Sequence, residues 1–475
     1  MKQFLTNKIA KSLSNLANAS VSVVYSIPEM RMCAGAYKKP GEMIFPNEND
    51  LLLKKGQKLC GKDKHFWLSF DVTVPDAAAG YEYRLRFTTG HEGEWDALNP
   101  QGLIYLDGKI LQGCDVNHRE AVLKAGKQYN VLVYLYIGMT ESDTVFEADL
   151  ISVNLNAERL MYDIKMPYEA ALCLREDDYN RTVILKALDQ TCNLIDFRNV
   201  GGKEFSNSLS AATDFIRKEF YEKECKDTHL TTSYIGHTHI DIAWQWTVAQ
   251  TREKVQRSFS TVLELMERYP EYKFMSSQPQ LYQFVKDEAP ELYEKIKSKV
   301  KEGRWEVEGA MWLEADCNLT SGESLVRQIL YGKRFIKEEF GVDSHILWLP
   351  DVFGYSAALP QILKKSGVDK FVTTKIGWSE TNKMPYDIFM WEGIDGTEIF
   401  TYFLTCQNHD TYKCGAFETT YVGKVNPQMN IGTWERFQQK EYNNDVLVTF
   451  GYGDGGGGPT AEMLENMRRL SCGIP

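Results

Sequence analysis

The stretch SYIGHTHIDIAWQW, residues 233–246, concentrates groups that can do chemistry: two histidines, an aspartate and two tryptophans. The whole chain has only 8 histidines, so a His-x-His-x-Asp cluster stands out. Residues two apart in an extended segment point to one face, which predicts that His237, His239 and Asp241 share a side. An imidazole beside a carboxylate is a natural half of a zinc site. The alternative is a pair of histidines that are only hydrogen-bonded at a strand end.

Two further carboxylates follow apolar runs. Asp351 lies in LWLPDVFGYSAALPQ, in a tight turn between Pro350 and Gly354. It could cap the following helix, but Ser356 already suits that position. Asp454 precedes four glycines in FGYGDGGGGPT. That loop lacks the Gly-Lys-Ser/Thr of a phosphate loop, which leaves either a bare backbone that lets a ligand approach Asp454 or a flexible surface linker.

A third group of acidic residues lies in EGAMWLEADCNLTSGESLVRQ. Glu323 and Arg327 are four apart on a predicted helix, which indicates an ordinary ion pair along its face. Glu314 and Asp316 share a face at a strand end and could hydrogen-bond a polyol. Two separated carboxylates, a metal half-site and tryptophans together favour glycoside hydrolysis, in which one carboxylate is the nucleophile or base and another the acid. Metal-assisted hydrolysis of an amide or ester by a metal-bound water needs similar parts and stays open.

These residues need strands and helices to position them, and from Thr231 onward apolar runs of strand length alternate with helical segments. Repeated strand–helix units predict a mainly parallel sheet, either closed as a barrel or doubly wound. The candidate residues from His239 to Asp454 follow predicted strands. Barrels and open sheets of this class place their active sites at the carboxyl ends of parallel strands. We therefore predict an α/β catalytic domain over residues 231–475.

The preceding chain has a different pattern. Short alternating runs at 64–75, 81–90 and 102–113, bounded by Gly, Asp, Asn or Pro, predict an N-terminal β-sandwich over residues 1–156. The YLDG in the third run predicts a hairpin turn of the Asp-Gly kind. Residues 157–230 have the periodicity of amphipathic helices, which predicts a helical connector between the two domains.

Bulk properties exclude several classes of function. A net charge of −11 and a pI of about 5.4 would repel a phosphate backbone, so we expect no nucleic-acid partner. No apolar stretch is long enough for a signal peptide or a membrane span, which predicts no membrane association. The 10 cysteines are scattered and form no CxxC pair. We therefore expect a cytoplasmic protein with free cysteines.

From residue 233 onward the sequence resembles the catalytic domain of glycoside hydrolase family 38, the α-mannosidases, and in particular their cytosolic and vacuolar branch. The strings that carry the resemblance are long, ordered and specific: GHTHIDIAWQW, GAMWLEADCNLTSGESLVRQ, LWLPDVFGYSAALPQILKKSG and GYGDGGGGPT. The segment NPQGLIYLDGKILQGCDVNHREAVL resembles the β domain that precedes the barrel in that branch. The resemblance implies that residues 231–475 form a (β/α)7-type barrel, incomplete in this chain.

The same resemblance implies a function and residue roles. It implies a retaining α-mannosidase that removes terminal α-mannosyl units from free oligosaccharides or glycans by a zinc-assisted double displacement. Asp351 would be the nucleophile and Asp454 the acid/base. One zinc ion per chain would be held by His239, Asp241 and Asp351. Trp244 would stack on the mannose ring. The other implied substrate-binding residues are Glu314, Asp316, Lys375 and Tyr402.

The chain departs from the family pattern in two places. The family has a histidine soon after GTEI, where this chain has FTYFLT with Tyr402. The family's fourth zinc ligand is a histidine beyond the glycine loop, whereas the last histidine here is His409 and the sequence ends at Pro475. We therefore expect a C-terminally truncated chain that binds zinc weakly. An inactive mannoside-binding remnant and a metal-dependent polysaccharide deacetylase-like hydrolase are the alternatives, and a homo-oligomer stays open.

Overall fold

A computed structural model of the protein describes residues 2–36, 43–95, 98–226, 228–379, 381–415 and 418–475.

The N-terminal part consists of a helix, α1 (Lys2–Ser20), followed by antiparallel strands. The strands are β1 (Val21–Ser26), β2 (Glu29–Ala34), β3 (Leu51–Lys54), β4 (Leu59–Gly61), β5 (His65–Thr73), β6 (Tyr81–Thr88), β7 (Gln101–Leu106), β8 (Lys109–Cys114), β9 (Glu120–Leu123), β10 (Gln128–Tyr136), β11 (Ser142–Thr144) and β12 (Glu147–Asn154). Two sheets, ordered β1-β12-β6-β9 and β3-β2-β5-β10-β7-β8, share one apolar core, and β4 pairs with β11. The hairpin predicted from YLDG is confirmed, because Asp107 and Gly108 both have positive φ, 50° and 79°, between β7 and β8.

Strand β10, QYNVLVYLY, is apolar and buried at every position from Val131 to Tyr136, and its place in the fold explains this. It pairs with β5 from Gln128 opposite Thr73 to Tyr136 opposite His65, in the middle of the six-stranded sheet. One set of alternating side chains, including Val131 and Val133, lies in the core between the two sheets. The other set belongs to a second apolar cluster on the opposite face of the same sheet. This strand is therefore buried on both faces, and the second face is where the C-terminal part packs.

A layer of helices follows: α2 (Leu155–Cys173), α3 (Tyr179–Asn193) and α4 (Lys203–Ile216). Asn154 caps α2, since its side chain accepts from the backbone N–H groups of Asn156 and Ala157. The N-terminal helix α1, which the sequence analysis did not predict, packs into this layer through Ile9 and Leu16. None of the helices in the described part of the chain is long and apolar enough to cross a bilayer.

The C-terminal part alternates strands and helices. Its elements are β13 (Thr231–His237), α5 (Val248–Arg268), β14 (Phe274–Ser276), α6 (Pro279–Glu288), α7 (Pro290–Lys301), β15 (Trp305–Val307), α8 (Gly322–Phe340), β16 (Ile346–Leu349), α9 (Leu359–Lys365), β17 (Lys370–Thr373), β18 (Ile388–Glu392), β19 (Glu398–Phe403), α10 (His409–Lys413), α11 (Pro427–Arg436), β20 (Asp445–Phe450) and α12 (Ala461–Leu470). The strands form two four-stranded sheets, β15-β14-β13-β20 and β16-β17-β19-β18. All pairings are parallel except that of β18 with β19. The predicted mixed α/β architecture is confirmed, but a closed barrel is not seen among the described residues.

Helix α5 packs between the N-terminal sheets and the C-terminal sheets. Its buried side includes polar residues such as Lys254 and Arg257, which a helix packed only on an apolar core would not carry. Lys254 Nζ donates to Gln101 Oε1 of β7 at 2.8 Å. The backbone N–H of Gly113 in β8 donates to Thr261 Oγ1 at 3.0 Å. The face of β10 and its neighbours is thus covered by α5 through directed polar contacts as well as apolar packing.

Candidate active site

Four side chains form a compact polar cluster: those of His239, Asp241, Asp351 and Asp454. Each offers one ligand atom, and the four atoms all lie within 4.8 Å of one another. His239 Nε2 lies 3.2 Å from Asp241 Oδ1 and 3.6 Å from Asp351 Oδ2. One imidazole nitrogen and three carboxylate oxygens at this spacing could hold a divalent cation.

Parallel strand ends bring these residues together. His239 and Asp241 follow β13, Asp351 follows β16 and Asp454 follows β20. Strands β13 and β20 are direct parallel neighbours, so the segments after them leave the sheet side by side. Gly309, just beyond β15, bridges Leu347 of β16 and joins the second sheet to the first. The carboxyl edge predicted from the sequence therefore assembles all four members of the cluster.

Glu314 lies behind the imidazole of His239. Its Oε2 is 3.0 Å from His239 Nδ1, and both side chains are almost fully buried. Its other oxygen, Oε1, accepts from Ser277 Oγ at 2.9 Å. A carboxylate on one ring nitrogen fixes the orientation of the ring and raises the basicity of the other nitrogen. The sequence analysis gave Glu314 a substrate-binding role, whereas its contacts are those of a residue that aims His239 Nε2 at the cluster.

Gln278 links the loop after β13 to the loop after β15, a role that the sequence analysis missed. Its Nε2 donates to the carbonyl of Ile240 at 2.9 Å, and its Oε1 accepts from the backbone N–H of Glu314 at 3.2 Å. Gln278 has φ of 64°, a left-handed conformation that is uncommon outside glycine. Such conformations cluster at functional sites. The only signal in the sequence was a polar residue between a strand end and Pro279.

Lys375 and Tyr421 each bind one carboxylate of the cluster. Lys375 Nζ lies 2.7 Å from Asp351 Oδ1 and 4.2 Å from the ring centroid of Trp378. The Tyr421 hydroxyl donates to Asp454 Oδ1 at 2.8 Å, and its ring meets that of His239 edge-on at 5.2 Å. Lys375 was among the predicted site residues. Tyr421 was not, because it lies in an irregular segment with no periodic pattern.

The cluster shifts the proton affinities of its members. Burial raises the pKa of Asp454, and the charges of Asp241 and Asp351 raise it further, against the opposing effects of His239 and Tyr421. Burial alone would lower the pKa of His239, but the carboxylates of Glu314 and Asp241 outweigh it and hold that pKa well above its usual value. A carboxyl group with a raised pKa beside ionised carboxylates is suited to act as an acid near neutral pH.

Three predicted site positions lie away from the cluster. His237 ends β13, its Nδ1 is 3.1 Å from the carbonyl of Met275, and it is not part of the cluster, so it adds no ligand atom to the half-site that the sequence suggested. Asp316 Oδ1 accepts from the backbone N–H groups of the two residues Asn318 and Leu319, which makes it a turn cap. The Tyr402 hydroxyl accepts from the backbone N–H of Leu447 at 3.1 Å, and its ring packs among apolar neighbours.

Trp244 comes three residues after Asp241, and half of its surface is exposed, at 50%. Its ring meets the edges of Trp246 and of Trp95, each with centroids 5.5 Å apart. Trp246 is buried, and its Nε1 donates to the carbonyl of Asp241 at 3.1 Å. Trp95 comes from the N-terminal sheets and is 46% exposed. An exposed indole next to a polar cluster offers an apolar face to a sugar ring.

Comparisons with known proteins agree with this geometry. The family model described as "Glycosyl hydrolases family 38 N-terminal domain" matches residues 229–473, just over half of the chain. "Alpha-mannosidase G" of Dictyostelium discoideum is 33% identical over 79% of this chain and 35% of its own length. "Alpha-mannosidase" of Saccharomyces cerevisiae is 35% identical over 68% of this chain and 29% of its own length. "Alpha-mannosidase 2C1" of Homo sapiens is 30% identical over 85% of this chain and 38% of its own length.

The chain spans about a third of the length of these curated relatives. The family match nevertheless covers β13 to α12, which contain or adjoin every member of the cluster. The chain therefore belongs to glycosyl hydrolase family 38.

Proposed function

We propose that this chain carries the catalytic centre of a retaining α-mannosidase. The observation that carries the proposal is the pair of carboxylates Asp351 and Asp454, whose ligand oxygens lie within 4.8 Å of each other in the cluster. Retaining glycosidases hold their two carboxyl groups about 5–5.5 Å apart, whereas inverting enzymes leave about 6.5–9.5 Å for a water. A distance of at most 4.8 Å between an oxygen of Asp351 and an oxygen of Asp454 is nearer to the first range than to the second, which supports the retaining mechanism. The names of the relatives support mannosides as the substrate class.

The proposed residue roles follow from the contacts. Asp351 lies 2.7 Å from Lys375 Nζ, and an ammonium group at this distance suits a carboxylate that attacks the anomeric carbon. Asp454, with its raised pKa, gives its proton to the departing oxygen as the glycosidic bond breaks. In the second step Asp454 accepts a proton from the water that releases the sugar from Asp351. Tyr421 orients Asp454 by donating to its Oδ1.

A divalent cation fits the cluster, and we propose zinc, held by His239, Asp241 and Asp351. The two ring nitrogens of His239 face different groups: Nδ1 faces Glu314, and Nε2 faces the cluster. This supports a metal site, because a metal-bound histidine typically has a carboxylate on its other ring nitrogen. Bound zinc would supply a positive charge that grips sugar hydroxyls and stabilises the transition state. Asp454 offers a third oxygen, and thus a fourth ligand atom, within reach. We still predict that zinc binds weakly, because most of these ligand atoms are oxygens and zinc favours nitrogen and sulfur ligands.

We propose that the substrate is a terminal α-mannosyl unit of a free oligosaccharide or glycan. The exposed ring of Trp244 supports a stacking role against the mannose ring. Roles in sugar binding for Asp316 and Tyr402 stay predictions, and their present contacts to backbone groups do not favour them. A cytoplasmic location and a homo-oligomer also stay predictions.

We further infer that the two C-terminal sheets are arcs of one seven-stranded barrel. The parallel strands of the described residues are β13, β14, β15, β16, β17, β19 and β20. Single-residue bridges from Gly309 to Leu347 and from Gly423 to Phe450 support closure on either side. We infer domains over residues 1–156, 157–230 and 231–475, with α1 packed on the second. An experimental structure with the two sheets well separated would contradict the barrel.

The test of the function is hydrolysis of an aryl α-mannoside by the chain with added zinc. We expect turnover that Asp351→Asn abolishes, while Asp395→Asn, in the exposed turn after β18, leaves it unchanged. A fluorinated mannosyl fluoride should label Asp351, and the label is found by mass spectrometry of the peptide. Binding of mannose without turnover would favour the alternative that the chain is an inactive mannoside-binding remnant. Release of acetate from an acetylated polysaccharide, without mannosidase activity, would favour the deacetylase.

A further inference from the structure

The loop of residues 451–459, GYGDGGGGP, carries Asp454 in a backbone conformation that its own sequence does not favour. Asp454 has φ of 58°, and Gly455 and Gly457 have φ of 108° and 85°. Left-handed backbone at a residue other than glycine costs energy and persists only where the surroundings enforce it. A run of four glycines is also entropically costly to order. The neighbours of this loop must therefore impose its shape.

His118, from the N-terminal sheets, makes one of these enforcing contacts. Its Nε2 lies 2.9 Å from the carbonyl oxygen of Pro459, and its Nδ1 lies 3.0 Å from Asp115 Oδ1. Both partners can only accept hydrogen bonds, so both ring nitrogens must carry a proton. His118 is therefore an imidazolium paired with the Asp115 carboxylate, and both residues are buried, at 6% and 2% exposure.

The carboxylate of this buried pair has further hydrogen-bond donors besides His118. Asp115 Oδ1 also accepts from the backbone N–H groups of Asn117 and His118, each at 2.8 Å. A buried ion pair is tolerated when its geometry is good and further hydrogen bonds satisfy its remaining atoms. A satisfied buried network is rigid, because loosening any member leaves an unpaired charge. The pair thus presents a fixed N–H donor to the carbonyl of Pro459.

The same pair explains why residue 457 is glycine. A Cβ at Gly457 would lie 2.8 Å from Asp115 Oδ2 and 3.0 Å from the ring of His118. The sequence analysis left open a bare backbone that lets a ligand approach. At Gly457 the group that approaches is the N-terminal domain. A second contact comes from α5, where Arg257 Nη2 donates to the carbonyl of Gly455.

We propose that Asp115 and His118 are positioning residues for catalysis, which clamp the glycine loop so that Asp454 is held at the cluster. The inference rests on the proposed acid/base role of Asp454 and assigns part of the active site's precision to the N-terminal domain. Neither residue touches the cluster. Their effect passes through Pro459 and Gly457 to the backbone on which Asp454 stands. A general acid displaced by about 1 Å can lose on the order of 100-fold in rate.

The first measurement compares leaving groups. A dinitrophenyl leaving group needs no proton, whereas methanol does, so misplacement of Asp454 should matter only for the second. We expect His118→Ala to lower kcat/KM for methyl α-mannoside by about 10–100-fold and for 2,4-dinitrophenyl α-mannoside by less than about threefold. His118→Gln, whose amide N–H can replace Nε2–H, should recover much of the loss. The control is His409→Ala, another buried histidine paired with a carboxylate, Glu435, outside the loop.

The second measurement does not depend on activity. Amide hydrogen exchange of the peptide covering residues 451–459 should quicken at least tenfold in His118→Ala and less in His118→Gln, with no change in His409→Ala. Unchanged exchange would overturn the clamp whether or not the chain is a mannosidase. If exchange is faster but kcat/KM falls equally for both mannosides, Asp115 and His118 have only a general structural role, and the proposal is overturned. A wild-type chain that turns over neither substrate, with the exchange result as expected, would refute the proposed function and leave the clamp standing as a loop restraint only.

Discussion

Replacing Glu314 by Gln tests whether this residue acts through His239 on a bound metal. The substitution keeps the shape of the side chain and an oxygen that can still accept from His239 Nδ1, but it removes a buried negative charge 3.0 Å away. Loss of a partner of this kind typically weakens metal binding by about 10–100-fold. We therefore expect the zinc dissociation constant to rise by that factor, roughly 1.4–2.7 kcal/mol.

The size of the effect should depend on pH. Without metal, Glu314 raises the pKa of His239, so a proton competes with zinc for Nε2. Glu314→Gln weakens zinc binding and proton binding together. Well above the pKa of His239 no proton competes, and the full loss appears. As the pH falls, the proton inhibits the wild type more than the variant, so the ratio of their dissociation constants shrinks.

The assay is a competition titration of chelator-stripped protein against a chromophoric zinc ligand, from pH 6 to pH 9. Glu308→Gln is the matched control, since Glu308 accepts from Ser344 Oγ at 2.6 Å and is not part of the cluster. Thermal unfolding should show that both variants are folded. Equal zinc affinity in wild type and Glu314→Gln, or a ratio that does not change with pH, would refute the reasoning.

Three further predictions concern other residues. Burial lowers the pKa of His237 to about 3 from an ordinary value near 6.5, so below about pH 6.5 the unfolded chain binds a proton that the folded chain excludes. The proton on His237 alone should therefore lower the unfolding free energy by about 5 kcal/mol between pH 6.5 and pH 3, and His237→Asn should reduce the slope of the unfolding free energy, measured by urea denaturation, against pH; parallel slopes for wild type and variant would contradict this. Asp454→Asn should lower kcat/KM for methyl α-mannoside by about 10²–10⁴-fold and retain the metal, and loss of metal would make Asp454 a ligand instead. Trp244→Ala should raise KM for mannobiose by up to about tenfold with kcat within about threefold, which steady-state kinetics will show; a fall in kcat alone would rule out stacking.

Much of the arrangement at the carboxyl edge of the C-terminal sheets was predictable, because strand ends in parallel sheets obey general rules. His239, Asp351 and Asp454 each follow an apolar run, and the rule that active sites lie at carboxyl ends predicts that they meet. The Asp-Gly turn of β7 and β8 was predictable for a similar reason, since positive φ at two adjacent residues selects that dipeptide. Local chemistry was sufficient in these cases.

Other parts depend on contacts between distant residues and were not predictable. Gln278 is held by Ile240 and Glu314, which lie 38 and 36 positions away in the chain. Tyr421 is held by Asp454, 33 positions away. Glu314 looks from its spacing like a sugar ligand, and only the position of His239 shows which way it faces. The spacing in His-x-His-x-Asp did not show that the ring of His237 lies by the carbonyl of Met275, 38 positions away, and outside the cluster. Helix α1 was missed because its apolar face is matched by helices far along the chain.

The contact between His118 and Pro459 joins residues 341 positions apart, and this has a consequence for biosynthesis. Domains generally fold in the order in which they leave the ribosome, and contacts between distant residues form late. The N-terminal sheets are complete before Thr231 is translated, so the surface that shapes the glycine loop exists before the loop does. A circular permutant that begins at residue 231 would reverse this order. Its glycine loop would emerge without the template and would remain exposed until the N-terminal strands followed.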